Sequence, residues 1–140
     1  AYRFDGYVAP IISLNHYIWY SFELLSYSKR SQLFLEDWPI YTTTHNTPPS
    51  LYSSTADVQN SFIANGSIIK GKVHNSILSR EVVVEEGAVV ENCILFTKTK
   101  VGPGVHTNYV VADKSVKITE KKEVCGDIND YLCILTGEKI

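Results

Sequence analysis

From residue 73 the aliphatic positions return at intervals of five or six: Val73, Leu78, Val84, Val90, Leu95 and Val101. A helix would bring apolar residues back at three and four over several turns, and a β-sandwich would set hairpin turns between alternating strands. Self-comparison shows the same unit four times, as "VQNSFIANGSII" (58–69), "VHNSILSREVVV" (73–84), "VENCILFTKTKV" (90–101) and, more loosely, "HTNYVVADKSVKI" (106–118). Each unit carries a landmark Asn followed by a small or variable residue: Asn60-Ser61, Asn75-Ser76, Asn92-Cys93 and Asn108-Tyr109, in steps of 15, 17 and 16. The pattern predicts an all-β solenoid, a single-stranded β-helix in which each hexapeptide supplies one short strand and one corner and three make a triangular coil. Val58, Ile63, Val73, Leu78, Val84, Val90, Leu95 and Val101 are the expected inward residues of four to five coils spanning residues 53–140. Gly66, Gly71, Gly87, Gly102 and Gly104 fall near the corners, and the β-branched run at Val82, Val83 and Val84 suits a flat side.

The first fifty residues follow another rule. Tyr2, Phe4, Tyr7, Tyr17, Trp19, Tyr20, Phe22 and Tyr27 crowd this part, and "SLNHYIWYSFELLSY" places Leu14, Tyr17, Ile18, Phe22 and Leu25 at helical spacing behind Ser13 as N-cap. Ahead of it "YRFDGYVAP" reads as a short strand and turn without a partner, as if the chain began at the tail of another domain. After it, "LFLEDWPIYTTTHNTPPSLY" reads as an extended, proline-rich connector. The expected division is therefore 1–52, the end of a missing domain with a helical linker, and 53–140, the solenoid.

Composition narrows the function classes. A net charge of −2 and a pI near 6.1 give no field that would attract nucleic acid or an anionic membrane, and neither is expected as a partner. Three cysteines, Cys93, Cys125 and Cys133, form no C-x-x-C pair and make a poor disulfide framework, which points to a reducing, cytoplasmic setting. Cys93 stands where sister repeats have Ser61 and Ser76, so it reads as a corner filler. No apolar run reaches the length of a membrane span.

"VGPGV" (101–105) is the one glycine-rich candidate for a phosphate cradle, and it falls on a corner with no helix behind it. No cofactor or catalytic residue is expected in these 140 residues. His74 and His106 keep open an alternative from another class, a hexapeptide-repeat acyltransferase with a histidine general base. Gln59 and Glu91 hold the position of His74 in neighbouring repeats, which favours a solvated variable site. His16 and His45 have no Cys or carboxylate at metal-ligand spacing, so no metal site is expected. Asp127, Asn129 and Asp130 alternate like part of a calcium loop, but read as a turn into a closing strand "YLCIL".

Taken in order, "GYVAPIISLNHYIWYSFELL", "PIYT", "PPSLY", "ADVQNSFIANGSII" and "VHNSILSREVVVEEGAVVENCIL" resemble the C-terminal part of bacterial ADP-glucose pyrophosphorylase, the glucose-1-phosphate adenylyltransferase family. The ending "DKSVKITEKKEVCGDINDYLCILTGEKI" is most similar to the regulatory D-type subunit of glycogen biosynthesis. The resemblance implies a left-handed β-helix, a parent chain that converts ATP and glucose 1-phosphate to ADP-glucose and pyrophosphate, and a non-catalytic role in assembly and allosteric regulation for this part. It further implies a tetramer with itself or a catalytic paralogue, and a sugar-phosphate or nucleotide effector near the junction of the two domains. The basic positions in the matching motifs are Arg80, Lys70 and Lys72, the candidate effector contacts; Arg80 beside Glu81 equally reads as a surface ion pair. Where the family often has Asn-Met in its helix and a Lys before the aromatic of its Pro-Pro motif, this chain has Ser21-Phe22 and Leu51.

Overall fold

The computed structural model describes residues 1–140, which form two compact units, 1–45 and 46–140. In the first unit, α1 (Leu14–Glu23) starts where Ser13 Oγ accepts a hydrogen bond from the His16 backbone N–H at 3.2 Å, and Ile18 is its buried residue. The helix ends earlier than the apolar spacing predicts, and a separate helix, α2 (Tyr27–Leu33), follows. Residues 1–12 form no strand, against the expectation for "YRFDGYVAP". A lone extended segment has no ladder in which to place its N–H and C=O groups.

The second unit is a left-handed triangular β-helix of fifteen parallel strands in three five-stranded sheets. The first rung contains β1 (Leu51–Tyr52), β2 (Asp57–Gln59) and β3 (Phe62–Ile63), and the second β4 (Ile68–Ile69), β5 (Lys72–His74) and β6 (Ile77–Leu78). The third contains β7 (Val83–Val84), β8 (Val89–Glu91) and β9 (Ile94–Leu95), and the fourth β10 (Lys100–Val101), β11 (His106–Asn108) and β12 (Val110–Ala112). The last has β13 (Lys117–Ile118), β14 (Glu123–Cys125) and β15 (Leu132–Ile134), so Leu51 and Tyr52, taken as linker from sequence, are the first strand. Each strand bonds only to the same side of the rungs above and below, as in Ile68 N–H to Val82 O at 2.9 Å and Lys100 N–H to Val116 O at 2.8 Å.

Because successive residues of a strand face opposite ways, each side sends one residue to the axis, an aliphatic at most positions and Thr107 in β11. Val73, Leu78, Val84, Val90, Leu95 and Val101 are at most 1% exposed. Val58 and Ile63 are only partly buried against this core, since their rung is the first and has a neighbour on one side only.

One corner carries an asparagine ladder. Asn60 Nδ2 donates to Asn75 Oδ1 at 3.0 Å, Asn75 Nδ2 to Asn92 Oδ1 at 2.6 Å, and Asn92 Nδ2 to Asn108 Oδ1 at 2.9 Å. Asn60, Asn75 and Asn92 adopt left-handed backbone at φ +42°, +46° and +50°, which asparagine tolerates better than most residues. In the fourth rung that place belongs to Tyr109 (φ +53°), not to Asn108, which pairs in register with Glu91. The sequence landmark thus slips by one residue, because the Asn108 amide extends the ladder from a strand position.

A second irregularity shapes the surface. From the first to the second sheet, Leu51 to Asp57 and Val83 to Val89 take six residues, whereas Ile68 to Lys72 takes four. This short corner is the source of the 15-residue step, and Gly71 stands at it.

Candidate functional site

Shortening one corner between two full-length ones leaves a notch. It has a volume of about 280 Å³, and Lys70, Gly71 and Lys72 line it from the short corner, Thr55 from the rung before, and Glu86 and Gly87 from the rung after. The structure thereby brings together Lys70 and Lys72. Lys70 Nζ is 2.8 Å from Glu85 Oε2, whose other oxygen is 3.0 Å from Lys100 Nζ. Hydrogen bonds from these two lysines hold the Glu85 carboxyl below its ordinary range. The charge of Lys72 acts on Asp57, where it is a minor cause, behind hydrogen bonds from Gln59 and His74, of a lowered carboxyl pKa. The cations at its lining are thus the exposed Lys72 and a Lys70 whose ammonium is already shared with a carboxylate. Thr55 Oγ1, at the rim, donates to Lys70 O at 2.7 Å and so braces the short corner.

Arg80 is not part of this arrangement. It sits on the corner that leads from the third sheet back to the first, where its carbonyl accepts from the Lys98 N–H at 3.1 Å. The surface pair expected between Arg80 and Glu81 is replaced by a pair between rungs, with Glu81 Oε2 3.9 Å from Lys98 Nζ. Glu81 carries left-handed backbone at φ +60°.

His74 and His106 lie on the outer face of the second sheet and are tied to carboxylates. His74 Nε2 is 2.9 Å from Asp57 Oδ2 and His106 Nε2 is 3.3 Å from Glu91 Oε2, while His74 Nδ1 is 4.0 Å from Glu91 Oε1. They therefore belong to a stripe of alternating imidazole and carboxylate groups running across rungs, and neither lines the notch. A general base needs an acceptor held beside it in a pocket, so this geometry gives the acyltransferase alternative no added support.

Cys93 is fully buried, its Sγ donates to Glu91 O at 2.9 Å, and burial pushes its thiol up to about 12, so it is a packed filler and not a nucleophile. "VGPGV" is a turn, with Gly104 at φ +66° and its N–H donating to Glu86 O at 3.1 Å. Asp127 and Asp130 exchange backbone hydrogen bonds of 2.9 and 3.1 Å in the turn leading to β15.

Sequence reasoning passed over one cluster. The donor atoms of His106, Glu123 and Cys125 lie within 4.8 Å of one another on the same stripe. Their spacing matches no local ligand motif, but 106 and 123 are one rung apart, which the repeat length could have revealed. No helix of the chain is long and apolar enough to cross a membrane.

Among the known proteins that this chain resembles are glycogen biosynthesis proteins and glucose-1-phosphate adenylyltransferases. The chain is 38% identical to glycogen biosynthesis protein GlgD of Bacillus subtilis over 97% of its own length and 40% of that protein. It is 34% identical to glucose-1-phosphate adenylyltransferase of Corynebacterium jeikeium over 84% of this chain and 29% of that enzyme. With GlgD of Geobacillus stearothermophilus it shares 47% identity over 50% of this chain and 20% of the relative. The chain thus spans less than half the length of the relatives it matches. The family described as "GlmU-like, C-terminal hexapeptide" matches residues 49–130, which contain almost all of the coiled strands, and by that match over more than half its length the chain belongs to the GlmU-like C-terminal hexapeptide family.

Proposed function

We propose that this chain is the assembly and regulatory domain of an ADP-glucose pyrophosphorylase subunit in bacterial glycogen biosynthesis, of the GlgD type. The observation that carries the reading is the 38% identity to GlgD across 97% of the chain, helical segment and solenoid together. The parent reaction joins ATP and glucose 1-phosphate to give ADP-glucose and pyrophosphate. It needs a phosphate-cradling loop and metal-binding carboxylates, and this reading assigns those to the remainder of the parent subunit. The part played by these residues is coupling in a cytoplasmic oligomer with itself or a catalytic paralogue. A rigid solenoid holds subunits in one of two arrangements, and an effector shifts the balance by its differential affinity for them.

The notch is the best place for the phosphate of a sugar-phosphate or nucleotide effector, with Lys70 and Lys72 as its cations. Arg80 offers a bidentate contact on a separate corner. In the parent complex, Lys70→Ala combined with Lys72→Ala raises the effector concentration for half-activation about tenfold, as expected for loss of charged hydrogen bonds. Arg80→Ala has a smaller effect. Activation curves that coincide with wild type for the double variant remove the notch from the effector site.

Pyrophosphate release by the full-length parent, alone and mixed with the catalytic paralogue of the same organism, tests the regulatory role. Weak activity alone and a changed turnover or substrate saturation of the mixture are expected. Strong activity of the parent alone makes it a catalytic subunit, overturns the GlgD-type assignment and confines this domain to assembly and effector binding.

A further inference from the structure

On the outer face of the second sheet, β11 lies between β8 and β14, with His106 in register with Glu123 and Asn108 with Cys125. Thr107 and Val124 turn to the axis and are buried at 0% and 4% exposure, so residues 106, 108, 123 and 125 project outward from two adjacent strands. Three of them are metal-ligand types, and their donor atoms lie within 4.8 Å of one another. We propose that His106, Glu123 and Cys125 form a site for a zinc-class divalent transition metal, with solvent completing the coordination.

The donor set selects the ion. One imidazole nitrogen, one thiolate sulfur and one carboxylate oxygen suit a borderline-soft cation, whereas magnesium and calcium require shells of oxygen. A tetrahedral ion with bonds of roughly 2.0 to 2.3 Å holds its donors about 3.3 to 3.8 Å apart, so small rotations of these side chains close the shell. One ring nitrogen of His106 is already engaged: Nε2 is 3.3 Å from Glu91 Oε2 on the preceding rung. That leaves Nδ1 for the ion and reproduces the carboxylate–histidine–metal arrangement in which a second carboxylate orients the ligating ring. A thiolate and a carboxylate beside a neutral imidazole balance the charge of a divalent cation. On binding, the S–H bond of Cys125 breaks, a metal–sulfur bond forms and the proton leaves to solvent. Without an ion, burial and the neighbouring Glu123 raise the Cys125 thiol pKa and keep it protonated.

β14 is the edge strand of its sheet, hydrogen-bonded to β11 alone. An ion shared by His106 of β11 and by Glu123 and Cys125 of β14 clamps the last rung to the one before it, where a solenoid otherwise depends on a cap.

Titration of the reduced 140-residue chain with Co²⁺, followed by absorption, tests the site directly. A thiolate-to-cobalt charge-transfer band is expected in wild type and in Cys133→Ser, and is abolished in Cys125→Ser. Zn²⁺ at a hundredfold excess over its Kd raises the Tm of wild type by roughly 10 °C and leaves His106→Gln unmoved. Metal-free circular dichroism and Tm equal to wild type establish that Cys125→Ser and His106→Gln are folded. No band in wild type overturns the proposal, and so does a band that persists in Cys125→Ser. Should Cys125→Ser fail to fold, loss of the band in folded His106→Gln supports the site and its persistence there rejects it.

Discussion

Val84→Asp unfolds the β-helix at neutral pH. Val84 is at the second position of β7, in the middle strand of its five-stranded sheet, and has no exposed surface. Ile69 precedes it by one rung and Val101 follows it, both also fully buried, so an aspartate there has aliphatic groups above and below it. An isolated carboxylate in such a place costs several kcal/mol even when it escapes ionisation by taking a proton. A domain of this size has a total stability of about 5 to 15 kcal/mol, and loss of the third rung also removes the support of the second and fourth. The control is one residue away. Val83 occupies the outward position of the same strand and is partly exposed, so Val83→Asp should leave the fold intact and lower Tm by only a few degrees. Circular dichroism melts of the two variants read the inward–outward register directly. A cooperative transition for Val84→Asp at the wild-type temperature contradicts it.

That register was legible because the solenoid repeats one local rule. The interval of five or six that links Val73, Leu78, Val84, Val90, Leu95 and Val101 is the distance from one side of the triangle to the next, broken only at the short corner, where Ile69 to Val73 is four. Residues that depend on the stacking of rungs were harder to see. Asn108 was taken for a corner residue because its type matched Asn92, yet Tyr109 holds the corner and tolerates φ +53°. Lys70, Lys72 and Arg80 shared a motif-level argument, but the two lysines flank one corner and Arg80 stands on another, since it follows them by ten and eight residues, about half of a coil of 15 to 17. His106, Glu123 and Cys125 are neighbours only once a 17-residue rung is counted. The short strand expected in residues 2–10 failed for the opposite reason, as an extended segment without a neighbouring strand has no hydrogen-bond partners.

The irregular corner makes the second large effect. Gly71→Ala should destabilise the domain by about 3 kcal/mol or more, because a Cβ at that position would lie 2.3 Å from Ala88 O and 2.8 Å from Glu85 O. Both are backbone atoms, so no side chain can swing away to make room. Ala88 O also accepts the Lys72 N–H at 2.8 Å, and displacing it weakens the bond that holds the short corner onto the third rung. Gly104 has the contrasting problem: nothing lies within 4 Å of its would-be Cβ, but its φ of +66° is left-handed. Gly104→Ala should therefore cost only about 1 kcal/mol, the ordinary penalty for an L-residue in that conformation. Urea unfolding separates the cases, with the midpoint of Gly71→Ala well below that of Gly104→Ala; equal midpoints would mean that the short corner yields freely. Lys70 and Lys72 flank Gly71 on both sides, so the tight corner also sets the distance between the two cations of the notch. At temperatures where Gly71→Ala stays folded, its parent complex should show a weakened effector response with both lysines still in place. Gly104→Ala leaves that response unchanged, since Gly104 lies outside the notch.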